Sequence, residues 1–160
     1  MNNTIHSSDD FEGMRKAGNL AASTLDLLVE KVKPGVSTEE LDNIAFDYIV
    51  RHGGLIAPLF YKGYPKSVCT SINHVICHGI PSSRILENGD IVNIDVTVIV
   101  DGWHGDTSRM FPVGKINAKA QKLIDCTFHA MHEGINAAQP KATLGDIGHA
   151  IQTYAEKQNY

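Results

Sequence analysis

The 160-residue sequence is poor in cysteine. It has three, Cys69, Cys77 and Cys126, an odd number without C-x-x-C spacing. That argues against a disulfide framework and a cysteine zinc site, and for reduced thiols in a cytoplasm. Long apolar runs are also missing. No stretch of about eighteen uncharged apolar residues occurs, so no membrane-spanning helix is expected. The first thirty residues carry Asp9, Asp10, Glu12, Arg15 and Lys16, which excludes a signal-peptide core there. Excess basic charge is absent too. A net charge of −4 leaves no footprint for nucleic acid.

What remains is an ordinary globular composition, long enough for one domain over residues 1–160. A first helix is expected from about Asp9 to Val32. Phe11, Met14, Ala21, Leu25, Leu28 and Val32 recur at three- and four-residue steps. Ser7 and Asp10 offer a capping box, and Pro34-Gly35 is the stop. A second helix begins at Ser37, with Glu40 as its box partner. Leu41, Ile44, Ala45 and Tyr48 form its stripe, and Gly53-Gly54 ends it.

Shifted by 106 positions, the pattern returns. Pro34, Ser37 and Glu40 become Pro140, Thr143 and Asp146. Leu41, Ile44, Ala45 and Tyr48 become Ile147, Ala150, Ile151 and Tyr154. A helix from about Ala118 to Glu133, with Leu123, Ile124, Phe128 and Met131 as its stripe and Gly134 closing it, precedes the second copy. Two amphipathic helix pairs can resemble each other by chance. The single shared offset favours an internal duplication, with units at about 9–113 and 115–160. Strands lie between about Pro65 and Val113 in the first unit, and their counterparts would fall near 171–219. The expectation is the first half, and a little more, of a longer protein. A half-built duplicate exposes a sheet edge and an apolar face, and should be poorly soluble or should pair with something.

Besides Asp101 at its middle, two aspartates, Asp95 and Asp106, interrupt the two halves of the β-branched stretch IVNIDVTVIVDGWHGDTSRMF, Ile91 to Phe111. Asp101-Gly102 is a hairpin turn signal. It pairs Val100 with Trp103, Thr97 with Asp106 and Asp95 with Ser108. Alternation then puts Val92, Ile94, Val96, Val98 and Val100 on one face, and Asn93, Asp95, Thr97 and Ile99 on the other. Asp106 shares the Asp95 face one diagonal step away, roughly 7–8 Å at Cα. Both carboxylates could reach one cation, or two about 3.5–4 Å apart. The alternative is a solvated strand face. Asp90 and Asp101 read as turn residues. His104, opposite Ile99, is a geometric candidate for ligation, though a half-exposed histidine beside a turn explains it as well. His129-x-x-His132-Glu133 has helical ligand spacing but not the H-E-x-x-H order, which favours a solvated helix flank.

A second dense stretch runs from Tyr61 to Pro81, YKGYPKSVCTSINHVICHGIP. It reads as a turn, a strand from Ser67 to Ser71, an Asn73-His74 turn and a strand from Val75 to His78. His78, at a strand end beside glycine, is placed to meet a ligand; a structural histidine is the other reading.

GYPKSVCTSIN, CHGIP, GDIVNIDVTVIVDGWHGDTSRMF and KPGVSTEELD together resemble segments of the bacterial-type methionine aminopeptidases, in that family's order. The resemblance covers essentially the whole chain. It implies an α/β (α+β) pita-bread fold, here the N-terminal half plus the first helices of the second pseudo-symmetric half. It further implies metal-dependent removal of N-terminal methionine from nascent polypeptides, in a cytoplasmic protein, monomeric when complete and met by its substrates at the ribosome. By the resemblance, Asp95 and Asp106 are ligands of two divalent metal ions (Co, Mn, Fe, Zn or Ni), Asp95 bidentate and Asp106 bridging. His78 hydrogen-bonds substrate and the developing tetrahedral intermediate, Tyr61, Tyr64 and Cys69 line the methionine pocket, and Thr97 steadies a carboxylate. It gives His104 no role as a ligand. The remaining ligands it implies, a histidine and two glutamates, have no counterpart before Tyr160, so the chain by itself should have little or no activity. The rival readings are a non-catalytic pita-bread module that binds peptides or proteins, and a related pita-bread peptidase such as a proline-specific one.

Overall fold

The structure is a computed structural model that describes residues 5–160. The chain falls into two compact units, residues 1–116 and 117–160.

In the first unit, α1 spans Ser8–Val29 and α2 spans Thr38–Arg51. Ser7 caps α1 through the expected box with Asp10. Ser37 caps α2 by accepting from the Glu40 N–H, without the returning half of a box. Helix α1 ends three residues earlier than expected, with Glu30 as its C-cap. Its contact line also differs. It runs through Ala17, Ala21, Thr24 and Leu28, whereas Phe11 and Met14 lie outside it, 47 % and 45 % exposed. The reason is close approach. A Cβ on Gly105 of the facing strand would run into the Ala17 carbonyl, so helix and sheet meet backbone to backbone along small residues.

Four strands form one antiparallel sheet: β1 (Leu55–Ile56), β2 (Cys69–Ile72), β3 (Ile91–Val100) and β4 (Trp103–Pro112). β4 pairs with β3 along its whole length, and β1 and β2 pair with opposite ends of β3 on its other side. Val92, Ile94, Val96 and Val98 are fully buried and pack with Leu25, Leu28, Leu41, Ala45 and Ile49. Each such side chain contributes about 1.5–3 kcal/mol on burial, so the apolar face of β3 is the anchor of the unit. The opposite face, Asn93, Asp95, Thr97 and Ile99, stays half-buried.

The expected strand at 75–78 is not formed; these residues are an exposed loop, and the strand before it is Cys69–Ile72 rather than 67–71. Asp90 is no mere turn residue. It is buried, and accepts from Asn73 Nδ2 at 2.8 Å, the Glu87 N–H at 2.9 Å and Arg84 Nη2 at 3.1 Å.

The second unit is a helix pair, α3 (Ala118–Ala137) and α4 (Leu144–Lys157). The bounds of α2 shifted by 106 are 144 and 157, those of α4, and Thr143 caps α4 at the position equivalent to Ser37, here through a full box with Asp146. Gly134 does not close α3. It is buried inside the helix, where a Cβ would stand 2.8 Å from the Ile151 side chain, so its lack of a side chain lets α4 approach.

Candidate active site

The hairpin takes the register its turn dictates. Asp101 (φ +50°) and Gly102 (φ +84°) both have positive φ, as the two-residue hairpin turn requires. Val100 pairs with Trp103, Thr97 with Asp106 and Asp95 with Ser108. On the other side of β3, Cys69 pairs with Asp95. Cys69, Asp95 and Ser108 thus form one rung across three strands, with Thr97 and Asp106 on the next rung of the same face. Val68 to Ser71 are buried, Asp95 is half-buried, and Asp106 is exposed.

The electrostatics tie these groups together. Burial pushes the Asp95 carboxyl above the ordinary carboxylate value, Asp106 pushes the same way as a like charge and hydrogen-bond partner, and His78 pulls it back. Burial also raises the Cys69 thiol, opposed by a hydrogen bond with Tyr64 and aided by Asp95, Cys77 and Asp106. Tyr64 is pushed far up by burial and by Cys69. At neutral pH the thiol and the phenol are therefore uncharged, beside an Asp95 carboxyl whose ionised form burial and Asp106 disfavour.

Tyr64, Cys69, Asp95 and Asp106 thus form a chain of interacting groups, and His78 joins it through Asp95. Tyr61 is not drawn in by any of these interactions; it is 65 % exposed on a 3₁₀ turn, Tyr61–Gly63, with Lys62 Nζ 5.4 Å from its ring. His104 lies opposite Ile99 and is exposed. His129 and His132 are exposed on α3, where His129 Nδ1 is 2.6 Å from the Asp125 carbonyl and His132 meets the Phe128 ring edge-on. Among the described residues no three His, Cys, Asp or Glu side chains are grouped to hold a metal ion. The aspartate pair is a two-donor set.

One residue that supports the site is not evident from motif reading. Asp42 of α2 is buried and accepts from the Ser67 and Val68 N–H groups at 2.7 and 3.0 Å. Burial pushes its carboxyl up, against these two bonds. It holds the segment entering β2 and hence Cys69. The available signal was an acidic residue next to Leu41 on the apolar stripe of α2, where a charge needs a partner.

Comparison with known proteins adds to the geometry. The chain is 58 % identical to a methionine aminopeptidase of Rickettsia prowazekii, over 98 % of this chain and 60 % of that relative. It is 51 % identical to methionine aminopeptidase A of Synechocystis, over 98 % of this chain and 62 % of that relative. The chain therefore spans about 60 % of the length of the curated relatives it matches. Among solved structures, the Rickettsia prowazekii methionine aminopeptidase superposes with a TM-score of 0.97, covering 98 % of this chain and 63 % of that one. A prolidase from Pyrococcus furiosus superposes with a TM-score of 0.83 at 20 % identity, covering 98 % of this chain and 45 % of that one, which speaks for the shared pita-bread fold alone. The sequence pattern of metallopeptidase family M24 matches residues 12–160, and the chain belongs to that family.

Proposed function

We propose that this chain carries part of the active site of a methionine aminopeptidase, which hydrolyses the first peptide bond of nascent polypeptides that begin with methionine followed by a small residue. The observation that carries the reading is the Asp95–Asp106 pair, one diagonal step apart on a single face of a two-stranded ribbon. Asp95 is half-buried beside the like charge of the exposed Asp106, an arrangement that a cation would relieve, and an all-oxygen donor pair suits a hard or borderline divalent ion. The donor set fits as part of a dinuclear site, with Asp95 and Asp106 as its two aspartates. Two divalent ions (Co, Mn, Fe, Zn or Ni) held there would supply Lewis-acid polarisation of the peptide carbonyl and a water activated at neutral pH.

The chain's own residues have separate tasks. His78 donates a hydrogen bond to the carbonyl oxygen as charge gathers on it. Cys69 and Tyr64, both uncharged, present soft and apolar surface to a thioether side chain, and Tyr61 forms the outer wall of that pocket. Thr97, opposite Asp106, steadies its carboxylate. The helix pairs offset by 106 residues are read as two copies of one unit, 9–113 and 115–160. No described helix is long and apolar enough to cross a membrane. The whole protein is read as cytoplasmic, monomeric when complete, and met by its substrates at the ribosome.

A proline-specific pita-bread peptidase is disfavoured by identity, 20 % to the prolidase against 58 % to the Rickettsia enzyme. A purely binding module has no need of paired, mutually repelling aspartates. The test is methionine release from a Met-Ala-Ser peptide with Mn²⁺ or Co²⁺. The 160-residue chain is expected to be nearly inactive. A chimera continuing it with the remaining part of the Rickettsia prowazekii relative is expected to be active, and to lose at least about a hundredfold with Asp106→Asn. A folded chimera that releases no methionine, or releases it undiminished with Asp106→Asn, sinks the reading.

A further inference from the structure

Gly79 is held on three sides. Its carbonyl oxygen accepts from the Thr70 N–H at 2.8 Å and lies 3.1 Å from the Tyr64 hydroxyl, whose single proton it shares with the Val68 carbonyl. Its own N–H donates to Ser71 Oγ at 3.2 Å. A Cβ here would run into the Thr70 carbonyl, so a side chain cannot be accommodated without moving β2. The Tyr64 hydroxyl also lies 2.9 Å from the Val68 carbonyl, which ties residues 64, 68 and 79 together. Val68 is in turn held by the buried Asp42.

The residue before this pinned glycine is His78. It is exposed, and its φ is +55°, the left-handed region. A non-glycine residue there is strained by about 1–2 kcal/mol and persists only where its surroundings over-determine it. An exposed imidazole has little packing of its own to do so. The constraint must come through the backbone, and the bonds at Gly79 are the ones adjacent to it.

We propose that Tyr64 and Ser71 are positioning residues: their hydroxyls clamp Gly79 onto β2 and thereby fix His78, in a left-handed backbone conformation, beside the Cys69–Asp95 rung. This rests on the reading of His78 as the substrate-facing residue and goes further. Tyr64 acts through its hydroxyl, and not only as a pocket wall. The buried Ser71 acts without touching substrate at all.

The test uses the 160-residue chain, dilute and uniformly labelled with ¹³C and ¹⁵N, as Tyr64→Phe and Ser71→Ala variants, with Tyr48→Phe on α2 as the control for a lost hydroxyl. Amide exchange at Thr70 and Gly79 is expected to quicken roughly fivefold or more in either variant. The His78 Cα shift is expected to move away from its left-handed value. Tyr48→Phe should change neither. Added Mn²⁺ gives a readout of position: it should broaden the His78 ring signals less in the variants than in the wild type, while broadening Asp95 and Asp106 equally. Should Tyr64→Phe fail to fold, Ser71→Ala decides by itself. Exchange within twofold of wild type, with an unmoved His78 Cα shift, overturns the clamp. The exchange and shift readouts need no metal. Mn²⁺ that leaves Asp95 and Asp106 sharp counts against the metal site and not against the clamp.

Discussion

At Asp95, burial and the neighbouring Asp106 both disfavour the ionised carboxylate, so its folded pKa lies above the unfolded value near 3.9. A raised carboxyl contributes stability while protonated, below the unfolded pKa, and loses it as pH rises through the folded one. Metal-free Asp95→Asn, which mimics the protonated form, should therefore be more stable than wild type at pH 7, by on the order of 0.5 kcal/mol in this half-open setting. The gain should vanish below about pH 4, as read by urea unfolding at both pH values. A less stable variant at pH 7 would mean that the pair is not under electrostatic strain. Asp90 behaves in the opposite sense. Burial works to raise it, but the Glu87 N–H, Asn73 and Arg84 outweigh burial and hold its carboxyl below the ordinary value. Its stabilisation is present above about pH 4 and is lost as pH falls through the folded pKa. Asp90→Asn should cost about 1–3 kcal/mol at pH 7, a deficit that shrinks in acid, in the same unfolding series. Asp95 and Asp106 stood out in the sequence because a charge on an alternating strand is conspicuous. Asp42 and Asp90 did not stand out as hubs. Ser67 lies 25 residues from Asp42 and Asn73 lies 17 from Asp90, and no local pattern records those bonds; the Glu87 and Arg84 contacts of Asp90 are local and fit a turn residue.

At the scale of elements, what was legible depended on whether the instructions were local. The Asp101-Gly102 turn sets every pair of the hairpin, and the structure keeps that register. Caps Ser7, Ser37 and Thr143 start their helices as read. The apolar run Val75–Cys77 has strand composition yet forms none. A strand needs a partner edge, and among the described residues the ladder-like bond here is from the Thr70 N–H to Gly79, beyond the run itself. Gly134 looked like a helix terminator, but its neighbour on α4 gives it a packing role instead. Gly105 is the same case in the sheet. Gly105→Ala would force a methyl group into the Ala17 carbonyl, backbone that cannot rotate away. It should destabilise the chain by roughly 3 kcal/mol or more, seen as a lower urea midpoint or as insoluble protein.

For the molecule as a whole, the second unit leaves apolar side chains in water: Phe128 55 %, Ile135 56 % and Leu144 87 % exposed on two helices. Phe128, Met131 and Ile135 follow one another at helical spacing on α3. Exposed apolar residues aligned in this way favour association. The chain should associate with rising concentration in sedimentation velocity, and Phe128→Glu with Ile135→Lys should suppress it while leaving the helix content unchanged by circular dichroism. Unaltered association in the double variant would show that another surface is responsible.

The helices, their caps, the hairpin and the shared face of Asp95 and Asp106 were determined by the sequence itself, because periodicity, capping and turn geometry act between residues a few positions apart. The tertiary structure alone decided which side of α1 meets the sheet, why Gly105 and Gly134 must be bare, and how Asp42, Tyr64 and Ser71 brace the segment that carries His78. Those outcomes depend on contacts between distant parts of the chain, where close packing and hydrogen-bond satisfaction, and not local preference, set the arrangement.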